Sequence, residues 1–150
     1  MPPDQPETTD APALLRRGHA GCRVLLAEDN PVNRLVAEEL LRSVGLVVES
    51  AGDGALALEM ARSRPYALIL MDLQMPVIGG LDAARAIRAR SGPQIPIIAM
   101  TADDSPCDRA ACLAAGMNDH VAKPVNPSEL FATLLRWLAP SASDRDQLRA

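Results

Sequence analysis

The residues that most constrain this chain are Ala67-Leu68-Ile69-Leu70-Met71-Asp72-Leu73-Gln74-Met75-Pro76, an apolar run that delivers one carboxylate and then stops at a proline. A run this short and this apolar reads as a strand buried on both faces, and such strands belong to parallel sheets covered by helices. Asp72 then stands at a carboxyl edge, where open α/β sheets place their ligands. Burying a carboxylate there costs several kcal/mol unless something compensates. A second apolar strand, Arg23-Val24-Leu25-Leu26-Ala27, ends in Glu28-Asp29. If the two strands are neighbours, three carboxylates converge, and their repulsion calls for a cation or a shared proton.

The remaining elements alternate. Asn30-Pro31 is a capped helix start, and Val32, Leu35, Val36, Leu40 and Leu41 recur at helical spacing until Gly45. Leu46 to Ser50 is a short strand, and Ala55 to Arg64 a helix that must end by Pro65. Leu81 to Arg90 is a helix closed by Ser91-Gly92-Pro93, and Pro96 to Met100 a buried strand delivering Thr101. Ser105-Pro106 opens an alanine-rich helix to Gly116 whose poor apolar content predicts weak anchoring. Asp119 to Ala122 is a fifth strand delivering Lys123. Asn126-Pro127-Ser128-Glu129 caps the last helix, with Leu130, Leu134, Trp137 and Leu138 as its core stripe. Five strands alternating with five helices imply a doubly wound parallel sheet, helices on both faces and right-handed crossovers.

With 150 residues and 48% hydrophobic content, the chain suffices for one full core. Residues 1–21 have the composition of a flexible Pro-rich arm, 22–139 form the expected domain, and 140–150 a flexible tail. A net charge of −4 without a basic block argues against a nucleic-acid or anionic-membrane surface. Three cysteines, Cys22, Cys107 and Cys112, without metal or disulfide spacing, fit a reduced cytoplasmic compartment. No stretch approaches membrane-spanning length.

The strand ends thus bring Glu28, Asp29, Asp72, Thr101 and Lys123 to one edge. Hard oxygen ligands suit magnesium, which keeps several waters and takes one or two carboxylates plus phosphate oxygens. A carboxylate attacks phosphorus to give an aspartyl phosphate when a cation offsets the charge. Each piece alone has a plainer explanation: the Glu-Asp pair as a solvated turn, Lys123 as a surface lysine, Thr101 as a cap, His120 as a packing residue. Their combination in chain order points to a site that accepts and holds a phosphoryl group.

The segments Val24-Leu25-Leu26-Ala27-Glu28-Asp29-Asn30, Leu70 to Pro76, Ile97 to Ala102 and Ala115 to Pro124 resemble the receiver domain of bacterial two-component response regulators. The resemblance implies a flavodoxin-like fold with strand order 2-1-3-4-5. It implies Asp72 as phosphoacceptor, and Glu28 and Asp29 with the main-chain carbonyl of Gln74 as magnesium ligands. Thr101 and Lys123 would bind the phosphoryl group, and His120 would stand at the aromatic switch position three residues before the lysine. The surface of the helix before the fifth strand, that strand and the last helix would then respond, as a population shift between two packings. Gly79 stands where relatives carry an acidic residue, and Glu28 where many have aspartate. The wording of Ala27 to Asn33 and Gly116 to His120 looks most like receivers of hybrid sensor histidine kinases, with the arm before Cys22 as the tether. The implied partners are a sensor histidine kinase or a histidine phosphotransfer protein.

By position just past the strand ends, Gln74 and Asp103 are expected to set the phosphoryl lifetime. Phe131 and Leu135 lie off the last helix's core stripe and offer at most a weak dimer contact. Two rival readings remain. One is a haloacid-dehalogenase-type phosphatase, disfavoured because Gln74 stands where that family has its second aspartate. The other is a docking module with an inert site.

Overall fold

Side-chain alternation along the strands explains the architecture. The computed structural model describes residues 11–73, 79–91, 95–101, 106–123 and 125–138. Five strands, β1 (Arg23–Ala27), β2 (Val47–Ala51), β3 (Leu68–Asp72), β4 (Ile97–Thr101) and β5 (Asp119–Ala122), form one sheet in the order β2-β1-β3-β4-β5. Every pairing is parallel. Around it pack α1 (Ala11–His19), α2 (Pro31–Ser43), α3 (Gly54–Ser63), α4 (Gly80–Ser91), α5 (Pro106–Ala114) and α6 (Pro127–Trp137).

With a period of two residues, each central strand feeds both faces of the sheet. Val24, Leu26, Leu68, Leu70, Ile98 and Met100 enter one apolar cluster with residues of α1, α2 and α6. Leu25, Ala27, Ile69, Met71, Ile97 and Ala99 enter the other with residues of α3, α4 and the α5 region. The interior strands are therefore apolar apart from Arg23, Asp72 and Thr101 at their ends, and β3 is buried at all five positions.

Local chemistry sets the helix ends. The Asn30 side chain accepts from the Val32 and Asn33 N–H groups at 2.9 and 3.1 Å, and Pro31 needs no donor of its own. Gly45, with φ 85°, ends α2 as expected: its N–H donates to Arg42 O and the Leu46 N–H to Leu41 O. Asp53 caps α3 and Asn126 caps α6. In α5, Cys112 is buried and Leu113 is exposed.

Two expectations are corrected. The arm at 1–21 is not featureless throughout: α1 occupies part of it, with Leu15 fully buried and His19 nearly so. An amphipathic segment of only nine residues is too short to hold a helix by itself, so tertiary burial of Leu15 carries it. Phe131 and Leu135 consequently do not form an open dimer surface. Phe131 belongs to the core cluster that contains Leu15, and Leu135 packs against that cluster.

The last helix is tied back to β5 through Asp119. Its Oδ2 accepts from the Trp137 indole N–H at 2.8 Å and the Arg136 guanidinium at 2.9 Å, and its Oδ1 from the His120 N–H at 2.8 Å. Burial alone would raise its pKa, but these donors together hold it below the usual carboxylate range. A carboxylate depressed in the folded state contributes stability above its unfolded value, near 3.8, and loses it as pH falls through the lower folded value. Asp119→Asn should therefore lower unfolding free energy in urea at pH 7 by about 1–3 kcal/mol. The gap to wild type should close as pH is lowered past that window.

Candidate functional site

Strand register assembles the site. Ala27 pairs with Met71 across β1 and β3, so Glu28 and Asp72 leave adjacent strands side by side. Asp72 pairs with Met100, which puts Thr101 one residue further out on the next strand. Thr101 pairs with Ala122, so Lys123 follows at the same edge.

Glu28 and Asp72 are buried, at 2% and 4% exposure, and Asp29 is exposed. Carboxylate oxygens of the three lie within 4.8 Å of one another. Lys123 Nζ sits between the buried pair, 3.2 Å from Glu28 Oε1 and 3.1 Å from Asp72 Oδ2. Burial and the neighbouring Asp72 charge push the Glu28 carboxyl up, against the opposing pull of the Asn30 N–H and Lys123. Burial would pull the Lys123 ammonium down, but Asp72 and Glu28 outweigh it and raise its pKa. The lysine is thus held charged between two anions.

The walls are set by close contacts. The Asn30 N–H donates to Glu28 Oε2 at 3.1 Å, and Arg34 Nη1 donates to the Glu28 carbonyl at 3.0 Å, bracing the acidic turn from α2. At the start of α4, a Cβ on Gly80 would overlap the Asp72 carbonyl oxygen and lie 2.8 Å from Leu73 Cα. No side chain fits there, and the Gly80 N–H donates to Leu73 O at 3.0 Å. A pocket of about 380 Å³, lined by Glu28, Asn33, Val36, Ala37, Met100, Lys123 and Val125, opens beside the carboxylates.

Of the residues singled out in the sequence, Glu28, Asp29, Asp72 and Lys123 are brought together, and Thr101 joins them at the edge, buried. His120 pairs with Ala99, further back in the sheet, with its ring half-buried beside Asp119. Gln74 and Asp103 lie outside the described residues. Asn30, Arg34 and Gly80 were not expected at the site. The Gly79-Gly80 pair is a visible signal for the close approach, whereas Arg34 bonds a backbone carbonyl and leaves no trace in side-chain chemistry.

The donors fit a hard divalent cation. Three carboxylates, two of them buried and already compressed against one ammonium, present oxygen ligands with room for waters on the exposed Asp29 side.

A five-stranded parallel sheet in this order, with an acidic triad and a lysine at its carboxyl edge, defines a flavodoxin-like α/β module. Residues 24–135 match the response regulator receiver domain, and the chain belongs to that family. It is 40% identical over 119 residues to the two-component response regulator ORR41 of Oryza sativa subsp. japonica, covering 77% of this chain and 93% of that protein. It is 34% identical over 132 residues to the sensor histidine kinase GacS of Pseudomonas protegens, covering 85% of this chain and 14% of the kinase. The chain therefore spans a small part of such kinases. The receiver domain of a Pseudomonas aeruginosa sensor histidine kinase, solved with magnesium coordinated in its active-site cleft, superposes with a TM-score of 0.73 at 49% identity, covering 79% of this chain and 98% of that one. The receiver domain of yeast Ssk1, solved with the histidine phosphotransfer protein Ypd1, superposes at 0.75 with 31% identity, covering 79% and 89%.

Gly80→Ala should lower thermal stability by about 1–3 kcal/mol because backbone atoms must move to admit the methyl group. Gly79→Ala is the control, since its Cβ would meet only Leu73 O at an ordinary 3.6 Å.

Proposed function

We propose that Asp72 accepts a phosphoryl group from a phosphohistidine, within a two-component or phosphorelay pathway. The observation that carries this reading is the Lys123 ammonium, shared at 3.1 and 3.2 Å between Asp72 and Glu28 inside a cation-binding cluster. In the transfer, a carboxylate oxygen of Asp72 forms a bond to phosphorus as the P–N bond breaks, and that electron pair stays on the imidazole. Glu28, Asp29 and Asp72, with the main-chain carbonyl of Gln74, would hold magnesium, which when bound would offset the negative charge that gathers during transfer. Lys123 pairs with one phosphoryl oxygen and the Thr101 hydroxyl donates to another. His120 takes the switch position, and Gln74 and Asp103 control the attacking water that ends the signal. The domain catalyses only its own phosphorylation and dephosphorylation, on the cytoplasmic side.

The donor is a sensor histidine kinase or a histidine phosphotransfer protein. Val32, Leu35 and Val36 are exposed along α2, and Val36 continues into the pocket that holds Glu28 and Lys123. Apolar side chains in open solvent beside a charged site suit a helix that brings its phosphohistidine to Asp72.

Intact mass after incubation with acetyl phosphate tests the chemistry. One added phosphoryl group should appear with magnesium and be absent without it or in Asp72→Ala. No adduct, or multiple turnover of an aryl phosphate, would defeat the proposal. Glu28→Gln should weaken magnesium binding by on the order of tenfold, about 1.4 kcal/mol, in a calorimetric titration. Leu35→Asp should slow transfer from a phosphohistidine protein at least roughly tenfold while sparing acetyl phosphate labelling.

A further inference from the structure

The helix α1 lies before residue 24, where the match to the receiver family begins, so it is an addition to that fold. It packs against α6 and shares one apolar groove of buried side chains with the end of α2, two helices that both start beside the carboxylate cluster. The helix α2 begins at Asn30, whose N–H holds the Glu28 carboxylate, and runs roughly 20 Å to Val44-Gly45. There the Gly21 N–H donates to Gly45 O at 2.8 Å, and a Cβ on Gly45 would press on Ala20 Cβ at 3.2 Å. The helix α6 begins at Asn126, three residues after Lys123, and ends at Leu138. Leu15 is fully buried in one cluster with Leu41 and Val44 from the α2 end and Phe131, Leu134 and Leu138 from α6.

The bases of α2 and α6 are joined at the site by the Glu28–Lys123 ion pair. A phosphoryl oxygen on Asp72 competes with Glu28 for the same ammonium. We propose that α1 is a helix docked in cis whose grip is linked to this pair: loading the site weakens the tie between the two bases, relaxes the groove at their far ends and loosens α1. This inference rests on Asp72 being the phosphoacceptor. Linkage makes it reciprocal, so undocking α1 favours the loaded site to the same extent.

The helix is also poised to release. His19 is nearly buried, and its Nδ1 has no hydrogen-bond partner among the described residues, so docking carries an uncompensated polar atom. His19→Leu removes that penalty and should tighten docking without enlarging a cavity, whereas Leu15→Asp should undock the helix.

The test uses magnesium and beryllium fluoride as the phosphoryl mimic on the full chain. Hydrogen exchange should speed up at residues 11–19 by about threefold or more when the mimic binds. Titration followed by the fluorescence of the single tryptophan, Trp137, should show Leu15→Asp binding the mimic more tightly and His19→Leu more weakly than wild type, each by about threefold. Mimic binding with unchanged or slower exchange in α1, or with equal affinity in His19→Leu and wild type, would overturn the inference alone. Failure of wild type to bind the mimic would overturn the phosphoacceptor reading and this inference with it.

Discussion

A single ammonium between two buried carboxylates is the interaction on which this structure turns. Glu28 and Asp72 are nearly inaccessible to water, and Lys123 stands within salt-bridge distance of both, which offsets the cost of burying charge there. Among the described residues, the carboxylates of Glu28, Asp72 and exposed Asp29 outnumber the Lys123 ammonium and the Arg34 guanidinium that braces the Glu28 carbonyl. Carboxylates crowded in this way repel one another, and a hard cation at their oxygens would relieve that repulsion.

The sheet makes this imbalance tolerable. Parallel pairing aligns every carboxyl end on one edge, so the five chemical groups arrive from four strands. The apolar stretches behind them supply both core layers, and the close backbone contacts lie at the rim. Gly80 against the Asp72 carbonyl and Arg34 on the Glu28 carbonyl fix the backbone rather than the reacting atoms. This division lets the charged groups rearrange while the strands stay in place.

The helix at the opposite edge adds a second consequence. Both helices that flank it are capped next to the charged cluster, by Asn30 and Asn126, so each runs from the carboxyl edge of the sheet toward α1 as one element. A receiver bounded at residue 24 would lack this contact, and α6 would expose the apolar face that Leu15 now shares.

The strand runs, their chain order, the caps at Asn30, Gly45 and Asn126, and the convergence of Asp72, Glu28, Asp29 and Lys123 on one edge were readable in the sequence. They depend on local periodicity, turn residues and residue type, all of which act over a few positions. The segment 11–19 was not readable as a helix, because Leu14-Leu15 in a polar arm gains its stability only from a groove made by residues 26 to 123 positions further along. Phe131 looked exposed for the same reason, since its cover comes from the other end of the chain. The sharing of Lys123, the brace from Arg34 and the close approach of Gly80 were likewise decided by tertiary structure alone. Each is a distance between segments that only strand register and helix packing bring into contact.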